Sequence, residues 1–163
     1  MSDPRVYVAV CGGGEATGQE RDRAQEVGRL LARAGAVIVC GGLGGAMEAV
    51  AAGAAAEGGV SIGILPGRDR LAQSEHLTYS IPTGMDEGRN VLVVRAADAL
   101  IAVGGEFGTL TEIAFALRVG VPVVGLQTWE LSKLGSPVDA FPVVDTPADA
   151  VRRALEAARD RRR

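Results

Sequence analysis

Aromatic residues make up only 4% of the 163 residues, and there is a single tryptophan. A core built around stacked rings is therefore excluded. The 47% hydrophobic content has to pack mostly as Ala, Val, Leu and Ile. There are two cysteines, Cys11 and Cys40, with no metal-ligand spacing and no Cys/His cluster around them. No metal site is expected; the default is a cytoplasmic protein with reduced, packed thiols. The only histidine, His76, lies in a polar stretch and reads more simply as a surface residue than as a general base. With no nucleophile elbow either, this argues against a Ser-His-Asp mechanism. No run approaches the roughly 20 consecutive apolar residues of a membrane span, so no membrane partner is expected. The opening "MSDPRVYVAV" lacks a long apolar segment after a basic start, so no signal peptide is expected. Net charge is −3 with a pI near 5.2, which gives no global reason to expect a nucleic-acid partner. The one basic cluster, Arg159 to Arg163, reads as the solvated end of a helix, where cations are favoured, rather than as a partner patch. No G-x-x-x-x-G-K-[ST] segment is present, so triphosphate-loop chemistry is not expected. The second apolar run ends in "VCGGLGG", without the acidic residue that would hold a dinucleotide ribose.

What the chain does have is glycine. There are 23, without a collagen period, clustered where apolar runs stop. Short β-branched runs alternate with helical periodicity. Strands are expected over Arg5 to Val10, Ala36 to Cys40, Val60 to Gly67, Ala99 to Val103 and Val121 to Leu126. An extended piece is expected near Leu77 to Ile81, and a short strand at Phe141 to Val144. Helices are expected over Thr17 to Ala34, Ala46 to Ala56, Glu87 to Ala97, Thr109 to Gly120 and Pro147 to Arg161. Thr146 serves as N-cap of the last, with Pro147 at its first position. Continuous apolar strands separated by helices specify an α/β fold. Its form is an open, doubly wound, mostly parallel sheet with helices on both faces, Rossmann-like, in a single nucleotide-binding domain over 1–163.

In such a sheet the strand-to-helix turns share one edge, where ligands bind. The turns are "CGGG" (with Gly12, Gly13 and Gly14), "GGLGG" (Gly41, Gly42, Gly44 and Gly45, followed by Met47), "LPGR", and "GGEFGT" (Gly104, Gly105, Glu106, Phe107, Gly108 and Thr109). Glycine allows close backbone approach, and a following helix supplies free N–H groups to a phosphate. One such turn would be an ordinary connection; four at a common edge favour a site. Glu112 has two readings. Thr109 and Glu112 match a T-x-x-E capping box; alternatively, the carboxylate stands beside the turn and acts on water or on a cationic ribosyl transition state. Arg89 opens an apolar helix, where a cation opposes the dipole, and so implies a partner anion. The helices around Val91 and Ile113 are apolar on nearly all sides, more than sheet packing consumes, which predicts a homodimer.

Together these residues resemble the LONELY GUY-like proteins, long labelled possible lysine decarboxylases, over about Val6 to Leu126. The hallmark P-G-G-x-G-T-x-x-E aligns with Gly104 to Glu112, and a G-M-x-E-R-K-like segment aligns with Gly84 to Asn90. The resemblance implies a Rossmann-like dimer that hydrolyses the N-glycosidic bond of nucleoside 5'-monophosphates, with Arg89 and Glu112 catalytic and the glycine turns binding phosphate. No pyridoxal phosphate lysine motif supports the decarboxylase label, and no cofactor is expected. The departures are Gly104 for the proline, Glu106 for the second glycine and Asn90 for the lysine. They look closer to a sister branch that includes the molybdenum cofactor carrier proteins, which bind a phosphorylated pterin without known turnover. Hydrolysis is the leading expectation, with a non-catalytic carrier or sensor as the alternative and a dimer bearing a vestigial site as a third. Glu106 would repel phosphate if it pointed inward and would leave the backbone cradle intact if it pointed outward.

Overall fold

The structure is a computed structural model and describes residues 5–163. Residues 1–4, where the expected absence of a signal peptide was partly read, lie outside the described residues. Seven strands form one sheet in which every pairing is parallel. They are β1 (Tyr7–Gly12), β2 (Val37–Cys40), β3 (Val60–Leu65), β4 (Tyr79–Pro82), β5 (Ala99–Val103), β6 (Val123–Leu126) and β9 (Val143–Val144). The spatial order is β4-β3-β2-β1-β5-β6-β9. The chain therefore winds outward from β1 to β4, then returns to pair β5 against the other side of β1. That return creates the switch point at which open α/β sheets place ligands.

Strand residues alternate between two cores because successive side chains point to opposite faces. Val8, Val10, Ile38, Ile101 and Val103 pack on one face against α1 (Gly18–Arg33), α2 (Ala46–Ala56) and α5 (Pro147–Arg161). Ala9, Val39, Leu100 and Ala102 pack on the other, against α3 (Asn90–Arg95) and α4 (Phe107–Val119). All five residues of β5 are buried, as expected of a strand covered on both sides. The small side chains let α1 and α2 meet at backbone distance: a Cβ on Gly53 would stand 1.9 Å from the Gln25 carbonyl oxygen.

Some boundaries differ from the sequence reading, for local reasons. Thr17 is not helical but caps α1: its hydroxyl accepts from the Glu20 N–H, and the Glu20 carboxylate accepts from the Thr17 N–H at 2.7 Å. The helix expected over Glu87 to Ala97 is instead a 3-10 turn (Asp86–Arg89) running into the short α3. α4 begins at Phe107, two residues before Thr109, and ends at Gly120 in the left-handed conformation. A hairpin of β7 (Leu131–Lys133) and β8 (Ser136–Val138), absent from the expectations, occupies the connection between β6 and β9. The C-terminal basic cluster is only partly a solvated helix end. Arg161 Nη1 donates to the Ala97 carbonyl at 2.9 Å, and Arg162 pairs with Asp98 at 3.4 Å. Among the described residues no helix is long and apolar enough to cross a membrane.

Candidate functional site

A cavity of about 890 Å³ opens at the carboxyl edge of the strands, within the size range of small-molecule sites. All four glycine-containing turns reach it. The turn after β1 contributes Gly12, Gly13 and Gly14, the turn after β2 contributes Gly41 and Leu43, and the one after β3 contributes Pro66. Met47 comes from α2, and Glu106, Phe107, Gly108 and Thr109 open α4. Gly42, Gly44, Gly45, Gly104 and Gly105 belong to the same turns but do not line the cavity. One of them interlocks the first two turns. Gly45 has φ +64, and a Cβ there would lie 2.2 Å from the Gly13 carbonyl oxygen, while the Ala46 N–H donates to that same oxygen at 3.0 Å.

Arg89 and Glu112, 23 positions apart in the chain, come together at the cavity floor. Arg89, expected to face an anion, is buried, at 8% exposed. Asp86, in the left-handed region at φ +48, starts the 3-10 turn that swings Arg89 inward, and its N–H donates to the Pro66 carbonyl at 3.1 Å. The guanidinium donates from Nη2 to the Gly41 carbonyl at 3.4 Å and from Nη1 to Asn90 Oδ1. Its Nε is buried with no hydrogen-bond partner among the described residues. An unpaired buried donor on a permanent cation is costly, and an anion in the cavity would satisfy it.

Glu112 lies in the second turn of α4 and is 7% exposed. The capping-box reading does not hold: the N-cap of α4 is Glu106, so Thr109 and Glu112 are both already inside the helix. Burial pushes the Glu112 carboxyl up to about 7, against the opposing effects of a hydrogen bond from the Cys11 thiol and the nearby Arg89 charge. Burial and the Glu112 carboxylate in turn raise the Cys11 thiol well above its ordinary value, and burial raises Cys40 to about 11. The two thiols are free and lie in the cores on opposite faces of the sheet. Glu112 is thus a proton-exchanging group at neutral pH beside a fixed cation, which suits acid or base chemistry.

The opening of α4 presents backbone donors to the cavity at Phe107, Gly108 and Thr109, backed by a helix of 13 residues. Glu106 lines the mouth and is exposed, and its side chain makes no capping bond. Its carbonyl accepts from Trp129 Nε1 at 3.3 Å, and the Trp129 ring stands 5.6 Å from that of Phe107. The sequence reading missed Glu20. Its Oε1 accepts from the Gly105 N–H at 3.3 Å, and a Cβ on Gly104, at φ +51, would meet that carboxylate at 1.9 Å. This explains why glycine rather than proline stands at position 104: proline cannot adopt a positive φ, and Glu20 fills the space beside it. The T-x-x-E pattern of Thr17 and Glu20 could have located the start of α1, but no local signal announces that the same carboxylate reaches position 105. Asn90, Cys11 and Leu43 were likewise missed as site neighbours, being unremarkable until the fold gathers them. The chain's single lysine, Lys133, sits in the β7–β8 hairpin and does not line the cavity.

Known proteins share the fold of this chain. The chain is 39% identical over 146 residues to an uncharacterized protein of Archaeoglobus fulgidus, covering 90% of this chain and 92% of that one. Its structure is similar to that of the molybdenum cofactor binding protein from the phototrophic bacterium Rippkaea orientalis. The TM-score is 0.81 at 28% identity, over 96% of this chain and 98% of that one. The Moco carrier protein of Chlamydomonas reinhardtii gives a TM-score of 0.82 at 26% identity, over 96% and 99%. The model of the SLOG cluster4 family matches residues 5–151. With its seven-stranded Rossmann-like sheet and its glycine-lined cavity at the switch point, the chain belongs to the SLOG cluster4 family.

Proposed function

We propose that the chain is a carrier or sensor of a phosphorylated heterocycle, of which molybdenum cofactor is the example suggested by its structural neighbours. The observation that carries this reading is the buried Arg89, whose unpartnered Nε shares a cavity with the opening turn of α4. A phosphate there would receive the guanidinium and the amides of Phe107, Gly108 and Thr109, with the pterin or base towards the mouth. The loop departures fit retention rather than turnover. The Gly105 amide is taken by Glu20, and Glu106 adds a second carboxylate where the hydrolases have glycine. Native mass spectrometry of the protein purified from a host that makes molybdenum cofactor tests the proposal. A bound mass lost in Arg89→Ala supports it, and an Arg89→Ala variant that binds as well as the wild type refutes it.

A second reading, hydrolysis of nucleoside 5'-monophosphates as in the LONELY GUY-like proteins, is favoured by one observation: the Glu112 carboxyl, raised to about 7, stands beside Arg89. Water would add at C1' as the C1'–N bond breaks, and the base would leave with the bonding electrons and take up a proton. Glu112 would orient the water and stabilise the oxocarbenium-like state. Incubation with AMP, GMP and isopentenyl-AMP decides it: a protein that binds the nucleotide and releases no base is not a hydrolase. For either reading we propose a homodimer, since Met85 on the approach to α3, and Val91 and Leu92 on it, are left partly exposed beside the cavity.

A further inference from the structure

The charges around the cavity are unbalanced for a site that takes a phosphate. Arg89 is the only cation among its described lining residues, whereas Glu15, Asp86, Glu87 and Glu106 surround the mouth and Glu112 lies on the floor. A ligand that satisfies Arg89 with an anion must therefore present hydrogen-bond donors, not further acceptors, at its other end. Glu106 is the acceptor best placed to meet them. It is exposed, its carboxylate is not spent on its own helix, and its backbone is pinned by Trp129 Nε1 at 3.3 Å. The neighbouring ring, Phe107, lines the same cavity. It is 74% exposed, with Trp129 behind it at 5.6 Å and a tilt of 36°. An aromatic left so open in a chain with few aromatics is a platform for a planar heterocycle.

Resting on the reading that this cavity binds a phosphorylated ligand through Arg89, we propose that Glu106 and Phe107 select a heterocycle with a 2-amino-4-oxopyrimidine edge, as in guanine or a pterin. Such an edge carries two adjacent donors, the ring N–H and the exocyclic amine, which match the two oxygens of one carboxylate. Adenine offers an acceptor at its corresponding ring nitrogen, and hypoxanthine lacks the amine. The carboxylate in the phosphate turn is therefore a specificity group. It faces the far end of the ligand, while the amides after it face the phosphate.

The test is a calorimetric titration of the full chain with GMP, IMP, AMP and 6-hydroxymethylpterin phosphate. A charge-assisted pair of hydrogen bonds corresponds to on the order of tenfold or more in affinity. Wild type is expected to bind GMP and the pterin phosphate at least about tenfold more tightly than IMP or AMP, and the tighter of the two assigns the source of the edge. Glu106→Gln replaces one acceptor oxygen with a competing donor and should bring GMP within about threefold of AMP, with an unchanged melting temperature because the side chain is exposed. Phe107→Leu should weaken all four ligands by similar factors. Wild type binding IMP or AMP as tightly as GMP, or a Glu106→Gln variant keeping the full preference, would overturn the proposal while leaving the phosphate reading intact. No binding of any of the four would overturn that reading and this proposal with it.

Discussion

Replacing Glu112 by glutamine should make the protein more stable at alkaline pH than the wild type, and no more stable at acid pH. Burial raises the folded-state carboxyl from 4.5 to about 7. The folded state therefore holds a proton that the unfolded state has released across that interval, and wild-type stability falls as pH rises through it. At about 1.4 kcal/mol per pH unit, the full effect is roughly 3 kcal/mol, reached above pH 7 and vanishing below about 4.5. Glutamine keeps the shape and an acceptor for the Cys11 thiol but cannot ionise. For a chain of this size, ~3 kcal/mol corresponds to a melting-temperature gain on the order of 6–12 °C at pH 8. Thermal melts of both proteins between pH 4 and pH 8.5 check this. The curves should coincide at the acid end and separate progressively from about pH 5. Parallel curves, or a wild type that gains on the variant as pH rises, would show that Arg89 and Cys11 hold the carboxylate ionised and that the burial argument fails.

The crossing of α1 and α2 gives a packing test: Gly53→Ala drives a methyl towards the Gln25 carbonyl and should destabilise by about 1–3 kcal/mol in denaturant melts, whereas Gly44→Ala, which meets nothing closer than 3.9 Å, should be near neutral. Arg89→Met removes the orphaned Nε and should leave the melting temperature unchanged or raised while abolishing retention of phosphorylated ligands, read by thermal shift with and without ligand. Leu92→Glu should convert the proposed dimer to a monomer by light scattering, with little change in secondary structure because Leu92 is 38% exposed.

The parallel sheet was legible in the sequence because burial on both faces writes each strand as a continuous apolar run, and β5 is the clearest case. Its boundaries, Ala99–Val103, agree with the expectation, as do those of α2 and α5. The convergence of the glycine turns was legible for the same reason, since parallel strands put every such turn at one edge. What was not legible depended on contacts between residues far apart in the chain. Arg89 reads as the partner of an anion from its place at a helix start, but its burial is not legible until the 3-10 turn at Asp86 carries it into the floor. Glu112 reads equally as a cap and as a site carboxylate, and the cap drops out only because Glu106 starts the helix a turn earlier. The β7–β8 hairpin escaped because its strands have three residues each, too few for a period, and one contains a proline.

The interlocking of the first two turns limits how this site can change over evolutionary time. The Gly13 carbonyl fits against Gly45 with no space for a methyl, so neither turn can lengthen or shift without the other moving in step. Insertions that would reshape a pocket elsewhere are closed to that half of the rim. Two rim segments are free of this contact, the approach to α3 around Asp86 and the opening of α4 around Glu106. A laboratory library confined to those two stretches should recover new ligand preferences at a far higher rate than one spread evenly over all the glycine-rich turns.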